Sequence, residues 1–228
     1  MELTLSSNPT LTSEMIFEDW GLIDYEQALQ KQTDYVQKVA SDETHPGYLI
    51  FCSHPAVVTT GRQTKPDDIF AWNGPVIEVS RGGRATYHGP SQVVAYPILN
   101  LKKSRAGRGP QEIRGYIRAL EQAIIQTLKS YDVNGQGKTL DSTEKSSLED
   151  TGVWVQNRKI ASLGIAVRKW ISFHGTAINV TRDTSAFQGL NPCGYKSDTM
   201  ISLEEILEKQ VEISAFKNLL KENCLRHL

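Results

Sequence analysis

The sequence is short of cysteine, of net charge and of long apolar runs, and each shortage excludes a class of protein. Its 228 residues include three cysteines, Cys52, Cys193 and Cys224, without a CxxC pair, which fits neither a disulfide framework nor a cysteine-rich zinc site. The formal net charge is -1, so no overall field attracts nucleic acid or a membrane surface. No window approaches the ~20 apolar residues of a membrane span, and the first residues lack the apolar core of a secretory signal. We therefore expect a cytoplasmic protein without a nucleic-acid or membrane partner.

The charge is distributed unevenly along the chain. Residues 1–44 hold nine acidic side chains and two lysines, whereas residues 81–118 hold eight basic side chains and one acidic residue, Glu112. Four further bases follow at Arg158, Lys159, Arg168 and Lys169. The basic segment lacks the interleaved aromatic residues of a single-strand platform. A basic surface for an acidic protein partner and an ordinary solvated face are both compatible with this pattern.

Apolar periodicity predicts three helical regions. Residues 24–41 carry apolar residues at helical spacing, and a second helix is expected after Gly109-Pro110, with Pro110 in its first turn. Ser202 and Glu205 form a capping box that opens a C-terminal helical region, with a break expected near residues 211–214.

Short β-rich runs bounded by Gly, Pro or Asn predict the strands. They are Tyr48–Cys52, Val57–Thr60, Val76–Val79, Val93–Leu99, Val153–Val155, Lys159–Val167 and Trp170–Val180. Residues 132–150 have almost no apolar content and predict an exposed loop. Because helices and strands do not alternate regularly, the pattern predicts an α+β fold, and no linker divides residues 1–228 into separate domains.

The first segment suited to ligand binding runs from Arg81 to His88 and contains Gly82-Gly83. Paired glycines let the backbone approach a ligand closely and leave amide groups free to donate. The spacing differs from GxGxxG, and no helical pattern follows, so a dinucleotide site is rejected. A tight turn with a satisfied His88 is the ordinary structural alternative.

A second candidate segment, Arg158 to Gly164, places a lysine among apolar neighbours on a strand. Strict alternation puts Lys159 on the face of Ala161 and Leu163, directed inward, where an amine can exchange protons near neutral pH. The small residues here and around Gly175 suit close contact with a substrate chain, although sheet twist alone also explains them.

Cys193 is the best candidate nucleophile of the three cysteines. It lies between Pro192 and Gly194, which is typical of a turn, whereas Cys52 and Cys224 have ordinary structural positions in an apolar strand and near a helix end. A nucleophilic cysteine needs a neighbouring base or cation, and Lys159 and the histidines are available. No pair of histidines has metal-ligand spacing, so we expect no metal, with a site of His88, His174 and Cys193 as the alternative.

Taken together, these motifs resemble the lipoate-protein ligase B family, the octanoyl-[acyl-carrier-protein]:protein octanoyltransferases. Two positions depart from the family pattern: Ser91 stands where the family usually has Gly, and Thr151 where it usually has Pro. The matching motifs, in order, are HPAVVTTGR from His54, RGGRATYHGP from Arg81, GVWV from Gly152, KIASLG from Lys159, SFHG from Ser172 with AINV from Ala177, and NPCGY from Asn191.

The resemblance implies a single α+β domain over residues 1–228, with a mixed sheet flanked by helices, similar to biotin and lipoate ligases. It also implies a thioester exchange in which Cys193 takes an octanoyl or lipoyl group from acyl carrier protein and passes it to one lysine of a lipoyl domain. Lys159 matches the family lysine that stabilises the cysteine thiolate and exchanges the proton, and no cofactor is implied. The residues that match the family's substrate-binding segments are Arg81, Gly82, Gly83, Arg84, Ala85, Thr86, Tyr87, His88, Ser162, Leu163, Gly164, Gly175, Thr176 and Ala177.

The implied partners are octanoyl acyl carrier protein as donor and, as acceptor, the lipoyl domains of 2-oxoacid dehydrogenase complexes or the glycine cleavage H protein. Acyl carrier proteins are generally acidic, which gives the basic segment a partner. Two alternatives remain open. One is an ATP-dependent lipoate or biotin ligase on the same fold, which has no use for Cys193, and the other is a non-enzymatic module that binds acyl carrier protein.

Overall fold

The computed structural model describes residues 15–105, 108–139 and 151–228, and these residues form two β-sheets and four α-helices. The larger sheet contains β1 (Ile16–Leu22), β2 (Tyr48–Ser53), β6 (Gln92–Ile98), β7 (Gln136–Gly137), β8 (Gly152–Val155), β9 (Arg158–Arg168) and β10 (Ile171–Asn179). The smaller sheet contains β3 (Val57–Thr60), β4 (Val76–Glu78) and β5 (Thr86–His88). The helices are α1 (Tyr25–Ser41), α2 (Ile113–Lys129), α3 (Leu203–Leu207) and α4 (Ile213–His227).

Both sheets combine parallel and antiparallel pairs. The larger sheet has the order β1-β2-β6-β10-β9-β8-β7, in which only the β1/β2 pair is parallel among the described strands. In the smaller sheet, β3 lies between a parallel β4 and an antiparallel β5. The predicted α+β class with a mixed sheet and flanking helices is therefore confirmed.

Each face of the larger sheet is covered by helices. On one face, α2 and α4 bury Tyr116, Leu120 and Phe216 against the sheet. On the other face, α1 buries Ala28 and Val36, among others, against β2, β6 and β10. Burial of one large apolar side chain contributes roughly 1.5–3 kcal/mol, so these two layers hold the sheet that carries the site.

Two predicted helix starts are confirmed and one is wrong. Asp24 caps α1 by accepting hydrogen bonds from the amides of Glu26 and Gln27, and the Ser202/Glu205 capping box opens α3. The second helix begins at Ile113 rather than at Pro110. Gln111 has a φ of 60°, which reverses the chain and keeps Pro110 outside the helix.

Every predicted run contains a strand, and three of the described strands, β1, β5 and β7, are additional. β1 carries acidic residues that interrupt its apolar pattern, and it forms by parallel pairing with β2. β5 lies inside the segment that the sequence predicts as a ligand-binding turn. Of the predicted loop 132–150, Gln136–Gly137 forms β7, and residues 140–150 lie outside the described residues.

None of the helices in the described part of the chain is long and apolar enough to cross a lipid bilayer.

Candidate active site

A cleft lies between the two sheets. Its walls come from β5 of the smaller sheet and from β6, β9 and β10 of the larger sheet. Both proposed reactive residues, Cys193 and Lys159, line it. Eleven of the predicted substrate-binding residues also line it: Arg81, Gly83, Arg84, Thr86, His88, Ser162, Leu163, Gly164, Gly175, Thr176 and Ala177.

Three predicted substrate-binding residues, Gly82, Ala85 and Tyr87, do not line the cleft. Side chains alternate along β5, so Thr86 and His88 face the cleft and Tyr87 faces away, where its ring packs against Phe187. Ala85 and Gly82 act through their backbones, Ala85 at the Cys193 turn and Gly82 by donating its amide to the carbonyl of Ile165 on β9. These three residues therefore support the walls of the cleft without lining it.

The Cys193 side chain is half-buried and projects from a single helical turn, Pro192–Gly194. Cys193 has φ 55° and ψ 22°, a left-handed conformation that is uncommon for a residue with a side chain. Its amide donates to the carbonyl of Ala85 at 2.9 Å, and its thiol lies 3.9 Å from the hydroxyl of Ser162. The backbone bond fixes the turn to the residue that precedes β5, and the thiol lies beside Ser162 of β9.

The other two cysteines differ from Cys193 in burial. Cys52 lies in β2 and Cys224 in α4, and both are fully buried. Burial raises the pKa of the Cys224 thiol to about 12 and raises the pKa of Cys52 well above its ordinary value. Neither is a thiolate at neutral pH, which leaves Cys193 as the accessible thiol of the chain.

The Lys159 side chain is 1% exposed, which confirms the predicted inward direction, but the predicted face is wrong. The register of β8 and β9 shifts so that Trp154 pairs with Lys159 and Val153 with Ala161. Since Trp154 and Val153 point to opposite faces, Lys159 faces the cleft and Ala161 faces the core of α2 and α4. The bulge therefore places the ammonium in the site.

Aromatic rings surround the Lys159 ammonium. Its Nζ lies 5.3 Å from the ring centroid of Trp154 and 5.9 Å from that of Tyr195. Gly152 leaves room for the lysine stem, because a Cβ at that position would lie 2.6 Å from Lys159 Cε. Ring faces attract a cation electrostatically, so the two rings help to hold the lysine side chain at the cleft.

A buried ion pair packs against the turn that carries Cys193. The Arg84 guanidinium is paired with the Asp68 carboxylate, and their side chains are 7% and 0% exposed. The carbonyl of Asp68 accepts the amide of Asn191, two residues before Cys193. Gly194, with φ +83°, packs against Arg84 so closely that a Cβ there would overlap the guanidinium. The pair and the turn are therefore held as one unit.

Arg81 organises the neighbouring glycine-rich loop. Its guanidinium is buried and donates to the carbonyls of Gly82, Arg84 and Thr59 and to the Thr59 hydroxyl, at 2.7–3.0 Å. Close contact with Gly164 of β9 ties this loop to the larger sheet. Arg81 thus fixes one wall of the cleft.

Five residues that line the cleft were missed as binding residues by the sequence argument: Tyr25, Val94, Tyr96, Thr151 and His174. Tyr25 falls within the apolar periodicity of residues 24–41, which predicts a helix and no binding role. His174 has φ 56°, an irregularity inside β10 that no local sequence pattern signals, and its amide donates to the Gln32 side chain of α1. Thr151, one of the two positions that depart from the family pattern, also lines the cleft.

The predicted basic surface is smaller than the sequence suggests. Arg81, Arg84, Arg108 and Lys159 are all buried, so these four charges do not contribute to an exposed face. The Arg81, Arg84 and Arg108 guanidinium groups bind carbonyls or a carboxylate inside the molecule instead. Among the described residues, no three His, Cys, Asp or Glu side chains converge as metal ligands, so the alternative site of His88, His174 and Cys193 is not formed.

Comparison with known proteins identifies the family. The family model for the lipoyl protein ligase A/B catalytic domain matches residues 24–225. The chain is 52% identical to an octanoyltransferase of Bdellovibrio bacteriovorus over 95% of this chain and 100% of that protein, and 38% identical to one of Shewanella sediminis over 88% and 85%.

The fold is also shared with solved structures of low sequence identity. A lipoate protein ligase from Thermoplasma acidophilum superposes with a TM-score of 0.62 at 14% identity, covering 92% of this chain and 82% of that one. Biotin protein ligase from Aquifex aeolicus gives a TM-score of 0.54 at 11% identity, covering 94% and 70%. Together with the family match and the close relatives, these findings show that the chain belongs to the lipoyl protein ligase A/B catalytic-domain family.

Proposed function

We propose that the protein is an acyltransferase that moves an octanoyl group from a thioester donor to a lysine of a lipoyl domain through an octanoyl thioester on Cys193. The observation that carries the proposal is the half-buried Cys193 thiol in a fixed turn beside a cleft that also holds the buried Lys159. The relatives named octanoyltransferase, 52% and 38% identical, support the same activity.

The reaction is two successive acyl exchanges. The Cys193 thiolate attacks the carbonyl carbon of the donor thioester, the carbon–sulfur bond of the donor breaks, and the donor thiolate leaves and is protonated. The amine of the acceptor lysine then attacks the Cys193 thioester, loses a proton, and releases the Cys193 thiolate. Exchange between thioesters is close to thermoneutral and amide formation from a thioester is downhill, so no nucleotide is consumed.

Each cleft residue has a physical role in this scheme. The Lys159 ammonium stabilises the Cys193 thiolate and, as a neutral amine, accepts the proton of the incoming lysine. The Ser162 hydroxyl, 3.9 Å from the thiol, is placed to contact the same centre. Gly164, Gly175 and Ala177 line the cleft with little side-chain bulk, which suits contact with an unbranched acyl chain. Backbone amides at the site stabilise the oxyanion as it forms.

We assign octanoyl acyl carrier protein as the donor, and the lipoyl domains of 2-oxoacid dehydrogenase complexes or the glycine cleavage H protein as acceptors. The chain works as a single catalytic domain over residues 1–228 in the cytoplasm. These assignments rest on the family and on the octanoyltransferase relatives.

Two parallel assays test the proposal against the ATP-dependent alternative. In the first, octanoyl acyl carrier protein and a lipoyl domain are mixed with the enzyme without ATP, and in the second, free octanoate and ATP replace the donor. Mass spectrometry of the lipoyl domain then measures octanoylation. We expect modification only in the first assay, and its abolition by Cys193→Ala. Modification only in the second assay would identify a ligase and overturn the proposal.

A further inference from the structure

An acidic side chain, Glu121, lies on the buried face of α2. Its neighbours on that face are mostly apolar and include Leu120 and Ile124. Glu121 is 2% exposed, and burial raises the pKa of its carboxyl above the ordinary value. A buried carboxylate is costly unless hydrogen bonds satisfy it, so the groups that bind Glu121 indicate its role.

The Glu121 carboxylate joins two separate pieces of the chain. Its Oε1 accepts the hydroxyl of Thr139 at 2.8 Å and the amide of Gly152 at 3.1 Å. Hydrogen bonds from the backbone of Lys138 and Thr139 also reach the carboxylate and oppose the effect of burial on its pKa. Gly137 packs against it, because a Cβ at that position would lie 2.7 Å from Oε2. The carboxylate therefore fixes the end of β7 and the start of β8 to α2.

Gly152, which Glu121 holds, contacts the end of the Lys159 side chain. A Cβ at Gly152 would lie 2.6 Å from Lys159 Cε and 3.4 Å from Nζ, so the glycine backbone lies directly against the lysine. Gly152 also pairs with Ser162 of β9, whose hydroxyl lies 3.9 Å from the Cys193 thiol. The position of Gly152 therefore bears on both proposed reactive residues.

The strand that begins at Gly152 is short and irregular. β8 has four residues, and its register against β9 shifts between Val153 and Trp154. A bulge disrupts the ladder of a strand locally, so a short bulged strand has few regular bonds to define its position. The bond from Gly152 to Glu121 fixes the first residue of β8, ahead of the shift that places Lys159 in the cleft.

We propose that Glu121 is a positioning residue for Lys159: its carboxylate holds Gly152 against the lysine side chain and so keeps the ammonium in the cleft that holds Cys193. The inference rests on the proposed function, in which Lys159 stabilises the Cys193 thiolate, and it adds a residue of α2 that supports this interaction. Without the carboxylate, the Gly152 amide loses its acceptor, the start of β8 moves, and the ammonium stabilises the thiolate less.

The pH dependence of Cys193 alkylation tests this interaction without an acyl donor. Iodoacetamide reacts with the thiolate, and intact mass with peptide mapping measures the rate at Cys193 in the full chain across the titration of the thiol. Glu121→Met keeps a long side chain and removes both acceptor oxygens. We expect it to raise the pH midpoint by about one unit, which is roughly tenfold less thiolate below the midpoint. Glu121→Gln keeps one acceptor oxygen, so it should raise the midpoint less, and it serves if Glu121→Met does not fold.

Two further variants separate positioning from a loss of stability. Lys159→Met should itself raise the midpoint, and Glu121→Met should add nothing to it in the double variant, because no ammonium remains to be positioned. Thr127→Val is the matched control on α2. Its buried hydroxyl accepts from the Asn223 side chain of α4, so the variant should lower stability and leave the midpoint unchanged.

The outcomes distinguish the inference from the proposed function. If Lys159→Met raises the midpoint and the folded Glu121 variants do not, the inference is overturned. An equal rise in Thr127→Val, or full additivity in the double variant, would overturn it as well. An unchanged midpoint in Lys159→Met would instead contradict the role of Lys159 in the proposed function, and the positioning role of Glu121 would be wrong with it.

Discussion

The buried pair of Arg84 and Asp68 gives the sharpest prediction on stability and on the Cys193 turn. The Asp68 side chain is fully buried, and Asp68→Asn removes its charge while keeping its shape. The variant replaces the buried carboxylate that pairs with the Arg84 guanidinium by a neutral amide. Loss of one partner from a buried ion pair costs about 3–5 kcal/mol. That cost is a large share of the roughly 5–15 kcal/mol that stabilises a typical domain.

Asp67 provides the matched control for this prediction. Its carboxylate lies 3.8 Å from the same Arg84 guanidinium, but its side chain is 78% exposed. An exposed ion pair contributes about 0–1 kcal/mol, so Asp67→Asn should leave the free energy of unfolding nearly unchanged. The two variants make the same chemical change on neighbouring residues, one buried and one exposed, although the Asp68 carboxylate also accepts the amide of Lys65.

Urea unfolding followed by circular dichroism measures the free energy of unfolding of both variants. The double variant Arg84→Met with Asp68→Leu should regain most of the loss, because no uncompensated charge then remains buried. The acylation rate of Cys193 should fall in Asp68→Asn and remain unchanged in Asp67→Asn, since the Asp68 carboxylate positions the Arg84 guanidinium against which Gly194 of the Cys193 turn packs. A loss below about 1 kcal/mol in Asp68→Asn would refute the reasoning.

Two further predictions concern the cleft. Lys159→Met keeps the long side chain and removes the charge, so single-turnover acylation of Cys193 should fall roughly 100-fold or more. The unfolding temperature should stay constant or rise, because a buried charge is removed. An acylation rate within threefold of that of the unmodified enzyme would contradict the role of Lys159. Because the pKa of His174 is about 3 in the folded protein against 6.5 for an ordinary histidine, only the unfolded chain takes up this proton as the pH falls below 6.5. Stability is therefore full above pH 6.5 and decreases toward pH 3, with a slope of about 1.4 kcal/mol per pH unit from this group. Urea unfolding between pH 7 and 4 should show a shallower decrease in His174→Asn, and identical slopes would contradict the burial of a neutral imidazole.

Local sequence patterns predicted most of the fold. Helical periodicity located α1, and the Ser202/Glu205 capping box located α3, because both signals arise from neighbouring residues. β1 was missed since its acidic residues hide the apolar pattern and its pairing with β2 is a tertiary interaction. The start of α2 was misplaced because the reversal at Gln111 has no signature in composition.

Local sequence patterns predicted only part of the candidate site. The turn at Cys193 follows from its Pro and Gly neighbours, and the burial of Lys159 follows from its apolar strand. The face of Lys159 depends on a β-bulge, which shifts the register and cannot be inferred from alternation. Tyr25 reaches the cleft only when α1 packs on β10, and His174 lies in β10, so the sequence places Tyr25 on an apolar helix face and His174 only in the alternative metal site.

The thioester on Cys193 is the central claim, and intact-mass spectrometry tests it most directly. The enzyme is mixed with octanoyl acyl carrier protein without an acceptor, the mass increase is measured, and peptide mapping locates it. We predict one octanoyl group, on Cys193, removed by hydroxylamine and transferred to a lipoyl domain when the isolated adduct is mixed with it. The adduct should persist in Cys52→Ser and Cys224→Ser and be absent in Cys193→Ser. An unmodified enzyme that still octanoylates the lipoyl domain, or an adduct on another residue, would contradict the account.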